Sequence, residues 1–300
     1  MVTVILRGGL GNQMFQYSAG FALAHSYGVP LVLDTTYLND RFPRPAFSPR
    51  TYDLHVFSLS PEFVGLSKIS TQFPVPGLWL GLDLARYIIE DAIGIVRLIK
   101  ENGKDILDGT AVAGSKNVAL WGFWQNEKYF TGIKDEVRAA FTFREPLMGD
   151  AAALAEEIKK SESVAVHVRR GDYVLPKYEK QYGKTNLGYY AQAAEYVSSK
   201  ISNPHFFIFS DDIAWCKENL KFSAAGATTT YVDSRSAGPK ASYHLHLQTL
   251  CKHNIVANSS FSWWGAWLNQ NPGKIVIAPK QWHVGERPGD AVVPDCWIRL

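Results

Sequence analysis

Cysteine is nearly absent: Cys216, Cys251 and Cys296 are the three in 300 residues, an odd and sparse set without C-x-x-C spacing. That argues against a disulfide framework and for free thiols in a reducing compartment. Long apolar runs are missing as well. The most hydrophobic window, 77–100, is broken by Asp83, Arg86, Glu90, Asp91 and Arg97, so no segment reaches the roughly eighteen uncharged apolar residues of a spanning helix. The apolar start, Val2 to Leu6, is too short for a secretory signal, and no small-residue cleavage site follows it. A soluble, cytoplasmic chain is expected. Net charge is also small, +3 from 31 basic and 28 acidic residues. Such a balance lacks the basic stripe of a nucleic-acid binder, although it favours anionic ligands locally.

What is present is core. Hydrophobic residues make up 46% and charged residues 20% of the chain, enough for two ordinary domains and too apolar for disorder. Strand, glycine loop, helix and strand follow one another over residues 2–6, 8–11, 12–27 and 30–34, a βαβ unit that implies a parallel sheet. Residues 39–76, rich in proline, read as an irregular excursion. A helix is expected over 78–100, a strand over 117–123 and an amphipathic helix over 128–143. Residues 144–149 are the best linker. Beyond them a second series alternates: helix 150–161, the Val164 strand, helix 188–200, strand 205–210, helix 211–219, strand 229–232, helix 241–252, strand 254–257, helix 261–270, strand 274–278. The fold class expected is α/β, two doubly wound Rossmann-like domains, 1–149 and 150–300, facing a central cleft.

Four stretches carry chemistry. H-V-R-R-G-D-Y (167–173) ends an apolar strand with two adjacent guanidiniums. Alternation sends His167 and Arg169 to one face and Arg170 to the other, with Asp172 near enough to pair with one of them. An arginine so held offers a planar fork to phosphate or carboxylate; a surface ion pair is the plainer alternative. Gly9-Leu10-Gly11 after a strand, with Asp34 ending the next one, imitates a dinucleotide fingerprint, but Met14 stands where the third glycine belongs. A helix N-terminus with Asn12 as cap remains, with Gln13 and Gln16 as polar candidates. The Gly183-Lys184-Thr185 triplet is no phosphate loop, because Tyr178 replaces its first glycine.

Phe206 to Phe209 form a buried strand ending in Ser210 and two carboxylates, a ligand rim where Asp211 orients a sugar or base or a metal bridges Asp211 and Asp212; the plainer alternative is that Ser210 or Asp211 caps the next helix. Asn258, Ser259, Ser260 and Phe261 open a helix as a phosphate site would. Of Trp263, Trp264 and Trp267 beyond them, two are expected in packing. His244, His246, Cys251 and His253 match no common zinc spacing.

Taken together, G-G-L-G-N-Q-M-F-Q-Y (8–17), H-V-R-R-G-D-Y, F-S-D-D (209–212) and C-K-H-N-I-V-A-N-S-S-F-S-W-W-G-A-W-L (251–268) resemble the bacterial α-1,2-fucosyltransferase family over nearly the whole chain. The resemblance implies a GT-B fold, GDP-fucose as donor, no cofactor or metal, and inverting transfer to a galactose 2-hydroxyl of a glycan or lipid-linked oligosaccharide. It implies Arg169 on the donor β-phosphate, Arg170 braced by Asp172, and His167 near the nucleoside. Asn258, Ser259, Ser260 and Phe261 would surround the diphosphate and fucose, with Asp211 nearby. Gly11, Asn12 and Gln13 would lie on the acceptor side, Asn12 at the reacting centre. Asp172, Glu179 and Asp211 are candidate proton acceptors. His244 stands where the family carries an acidic residue reading guanine, which opens the door to another nucleotide sugar. Contact of residues 78–100 with the inner membrane surface is left open.

Overall fold

A computed structural model describes residues 1–40, 50–73, 75, 77–101, 117–171, 186–222, 225–283 and 292–300. The chain divides into two compact units, Met1–Arg144 and Glu145–Leu300.

The first unit holds a wholly parallel sheet of order β3-β2-β1-β5-β4, with β1 Val2–Ile5, β2 Leu31–Asp34, β3 Glu62–Phe63, β4 Arg97–Lys100 and β5 Val118–Trp121. Helix α1 (Leu10–Tyr27) lies on β1. A Cβ at Gly20 would stand 2.1 Å from Val4 Cγ2, so Gly20 supplies the close helix–strand approach that the fingerprint asks of position 14, and Met14 is simply core. Short α2 (Thr36–Asn39) and α3 (Gly65–Gln72) give the 39–76 region more order than its prolines suggest.

Two helix boundaries differ from expectation. The 78–100 helix is α4 (Leu78–Ala92) only: Gly94, at φ 76°, turns the chain, and Arg97–Lys100 then pairs with Val118–Trp121 as β4. The 128–143 helix begins as a 3₁₀ segment, Glu127–Ile133, kinked at Phe130, before α5 (Lys134–Ala140). Phe130 leaves helical geometry while its buried ring packs near that of Phe15, centroids 6.4 Å apart.

The second unit is wound around β6 (Glu162–Val168), β7 (Pro204–Ser210), β8 (Thr228–Val232), β9 (His253–Ile255), β10 (Val276–Ala278) and β11 (Ile298–Arg299), all parallel, in order β11-β10-β9-β6-β7-β8. Numbered from β6, that is 3-2-1-4-5-6, the doubly wound order. Helices α6 (Asp150–Lys160), α7 (Leu187–Ser198), α8 (Ile213–Asn219), α9 (Ser234–Ala237), α10 (Ala241–Leu250) and α11 (Ser260–Leu268) connect it. Strand β7 shows why both faces must be covered. Phe206 and Ile208 pack with Tyr190, Ala193 and Val197 of α7, while Phe207 and Phe209 pack with Leu154 and Ile158 of α6 and Leu247 of α10. Each such side chain contributes roughly 1.5–3 kcal/mol by leaving water.

Candidate functional site

In a sheet of this order, ligands bind beyond the strand ends where the winding reverses. The reversal here falls between neighbours β6 and β9, so the residues that follow β6, β7 and β9 share one edge.

The parallel register of β6 and β7 sets the charges against one another. Val168 is opposite Ser210, so one residue further Arg169 meets Asp211, and two further Arg170 meets Asp212. Arg169 Nη1 lies 2.6 Å from Asp211 Oδ2, and Arg170 Nε lies 3.1 Å from Asp212 Oδ2. The Arg170 backbone N–H donates to Asp211 Oδ1 at 2.9 Å, and its guanidinium lies over the Trp215 ring at 3.9 Å. Asp212 and Trp215 thus brace Arg170; the expected brace, Asp172, lies outside the described residues, as does Glu179. Asp212 also caps α8 through Trp215 N, so the capping alternative applies to it and not to Asp211. Gly171 is part of the arrangement, since a Cβ there would stand 2.4 Å from Asp211 Oδ2.

His167 is buried at the end of β6, its ring 5.8 Å from that of Phe261. Its carbonyl accepts from Tyr190 OH at 3.0 Å, while its Nδ1 is buried without a partner. Burial pushes the imidazole down to about 4; Asp211 opposes, and Arg169 and His244 reinforce the fall. It is neutral near pH 7, a flat polar wall rather than a cation. His244, on α10, lies near Phe209, centroids 6.3 Å apart, with Nε2 3.0 Å from the Gly238 carbonyl oxygen.

Beyond β9, Ser259 takes the N-cap position of α11 but makes no side-chain capping bond. Its first-turn N–H groups thus have no side-chain acceptor, the condition of an anion site. Ser260 and Phe261 are half-buried in that turn. Asn258 is turned to structure, Nδ2 donating to the Trp282 carbonyl at 3.3 Å. Trp263, Trp264 and Trp267 are all buried, one more than expected, and Trp263 Nε1 donates to the Val292 carbonyl at 2.8 Å.

The glycine loop of the first unit is more structural than its sequence suggests. Asn12 does not cap α1: the N-cap is Gly9, and Asn12 Oδ1 accepts from Gln125 Nε2 at 2.7 Å. Gln13 is buried, donating to the Gly8 and Thr51 carbonyls and accepting from Asp53 N. Gln16 joins Arg7 N to the Gly122 carbonyl. Gly11 is buried in the helix. Asp34 is wholly buried, receiving Thr36 N, Ser67 Oγ and Tyr87 OH. It holds its own fold together and does not serve as a ribose carboxylate.

Sequence reading missed the pairing of Asp212 with Arg170, and Trp215 and Gly171. It missed Arg7 as well, whose guanidinium stacks on Phe123 at 4.3 Å and Trp121 at 5.4 Å beside the loop. The signal for the first two was a paired Arg-Arg and Asp-Asp at two strand ends. Among the described residues no group of three or more His, Cys, Asp or Glu is placed to hold a metal. His253 Nδ1 accepts from Ile275 N at 2.9 Å.

The sequence profile of Glycosyl transferase family 11 matches residues 101–299. An alpha-1,2-colitosyltransferase of Escherichia coli is 32% identical, the alignment covering 100% of this chain and 99% of the relative. The O-antigen biosynthesis glycosyltransferase WbnK of Escherichia coli is 28% identical over 98% of this chain and 99% of its own. Among solved structures, a mutant of Arabidopsis thaliana FUT1 in complex with GDP is 14% identical, with a TM-score of 0.53 over 92% of this chain and 69% of that one. That likeness concerns fold alone: with two Rossmann-like units, the fold is of the GT-B type.

Proposed function

Because the chain belongs to glycosyl transferase family 11, and is thus a glycosyltransferase, we propose that it moves L-fucose from GDP-fucose to a galactose 2-hydroxyl. The acceptor is a glycan or lipid-linked oligosaccharide, and transfer inverts the anomeric carbon without a metal. The observation that carries this reading is that the Arg169–Asp211 pair follows β6 while the N-terminus of α11, without a side-chain cap, follows neighbouring β9, the two segments meeting where the His167 and Phe261 rings lie 5.8 Å apart.

As the sugar–phosphate bond breaks, negative charge gathers on the departing diphosphate. The Arg169 fork and the first-turn N–H groups of α11, with Ser259 and Ser260, receive that charge, and donors fixed beforehand act without reorganising. The second unit serves the donor, and His167 with Phe261 offers the base a flat wall. Gly11 and Asn12 of the first unit serve the acceptor. Asp211 spends both oxygens on Arg169 and Arg170, which leaves Asp172 or Glu179 as the better proton acceptors for the hydroxyl.

The test is GDP-fucose with a panel of galactosides and linkage analysis of any product. An α-1,2-fucosylated galactoside supports the reading; no product and no donor hydrolysis across the panel refutes it. A second reading has its own support, since one full-length relative is named for colitosyl transfer. Colitose lacks the 3-hydroxyl of fucose, so competition between GDP-fucose and GDP-colitose, read as relative kcat/KM, decides between the two donors.

A further inference from the structure

Helix α4 is turned inside out. Three of its four charged residues form an inward network: Asp83 is buried, and Arg86 reaches Asp83 at 2.6 Å, Glu90 at 3.2 Å and Asp34 at 3.4 Å, while Asp91 near the C-terminal end is exposed. Arg86 also lies over the Tyr87 ring at 4.0 Å. The outward face carries Leu78, Gly81, Leu82, Ala85, Ile88, Ile89 and Ala92, all exposed. On an ordinary surface helix these two faces would be exchanged.

The apolar face continues past both ends of the helix. Ile69 of α3, Phe73 and Val75 after it, and Ile93 and Ile95 after α4 are exposed as well, and with Leu78, Leu82, Ile88 and Ile89 they range from 41% to 63% exposure. Trp79 Nε1 donates to the Phe73 carbonyl at 2.6 Å, so the end of α3 is fastened to the start of α4. Contiguous apolar surface of this extent marks a site of contact.

We propose that this face lies on an anionic lipid bilayer, α4 in the plane of the headgroups. Charge selects that partner. Among the described residues of α3, α4 and β4 the exposed ionic groups are Lys68, Arg97 and Lys100, against one exposed carboxylate, Asp91, which accepts from the Leu98 N–H at 2.8 Å. An apolar face with a basic border is the pattern of an interfacial helix, which gains from apolar burial and from anionic headgroups together. A second copy fits less well, because a two-fold interface sets like borders against each other. Lying on the surface also agrees with geometry: no helix among the described residues is long and apolar enough to cross a membrane. The inference deepens the lipid-linked option for the acceptor, but it rests on α4 and not on the sugar chemistry.

The experiment is flotation of the full chain with vesicles of phosphatidylethanolamine and phosphatidylglycerol, against vesicles of phosphatidylcholine alone. Binding to the anionic vesicles is expected, reduced about tenfold or more in the L82E/I89E chain and by high salt. Both changes lie on the exposed face, so GDP binding and transfer to a water-soluble galactoside should stay as in the parent. Those assays show that the variant is folded, and they report on the proposed function separately. No binding by the parent chain, or equal binding by the variant, overturns the proposal. So does light scattering that shows a dimer abolished by L82E/I89E, because the face then belongs to a second copy.

Discussion

Arg169 Nη1 and Asp211 Oδ2 stand 2.6 Å apart, each side chain 26% exposed, one residue beyond the in-register pair Val168 and Ser210. The paired strand ends aim this guanidinium, since each residue stands one position beyond its strand. For a half-exposed pair the value to stability is small; its consequence is direction. Arg169→Lys should therefore lower kcat/KM for GDP-fucose by about a hundredfold, the usual order for losing a donor to a developing anion, because ammonium lacks the planar fork. Asp211→Asn keeps the shape and loses the ionic hold, with an expected loss nearer tenfold. Steady-state kinetics on both variants check this, and near-normal transfer by the lysine variant would remove Arg169 from the phosphate.

Gly171 separates orientation from charge. A methyl there meets Asp211 Oδ2 at 2.4 Å, too close for any real contact. Gly171→Ala should displace the carboxylate and reproduce most of the Asp211→Asn defect in kcat/KM. Residue 171 is exposed, so thermal unfolding should shift by no more than a few degrees. A fully active Gly171→Ala enzyme would mean that the Asp211 carboxylate does not have to be where it stands.

Much of this was legible in the chain and some was not, for reasons particular residues make plain. The alternation of β6 carried through: Val164, Val166 and Val168 share one core and Ala165 the other, so Arg169 and Arg170 do diverge. Asp211 and Asp212 were not paired with those arginines from sequence because only strand pairing makes them neighbours; Asp172, near in sequence, lies outside the described residues. Asn12 and Gln13 look like ligand groups by type, yet their hydrogen bonds go to Gln125, Thr51 and Asp53, far along the chain. Helix α4 was overextended because apolar residues run through to Ile99, and periodicity alone does not separate a buried strand from a helix. Gly94 was the available signal.

Two buried groups should give the fold opposite responses to pH. Burial first, and Asp34 second, push Asp83 up to about 7 against the pull of Arg86. The folded state then holds more protons than the unfolded one between about 4 and 7, so this carboxyl costs stability as pH rises through that window. His167, held down to about 4 by burial, binds fewer protons folded than unfolded. It therefore costs stability as pH falls from about 6.5 towards 4. In melting temperatures from pH 4 to 8, Asp83→Asn should remove the loss of stability as pH rises from about 4 to 7, and His167→Gln should soften the loss as pH falls from about 6.5 towards 4. Parallel curves for parent and variants would show that neither proton is linked to folding.

His244 is the place to test how the base is chosen. Its Nε2 lies 3.0 Å from the Gly238 carbonyl oxygen, which only accepts, so Nε2 donates there and Nδ1 is the one ring nitrogen left to accept. One acceptor takes one guanine N–H, where a carboxylate would take two. His244→Phe keeps a flat ring beside Phe209 and removes that acceptor. A neutral hydrogen bond lost from a buried partner is worth about 1–1.5 kcal/mol, so GDP should bind roughly five- to tenfold more weakly by calorimetry. Uracil has one N3–H between two carbonyls and lacks the 2-amino donor of guanine, so the affinity for UDP should fall less than that for GDP. If both nucleotides weaken equally, the ring only packs against the base; if GDP does not weaken at all, guanine is read elsewhere.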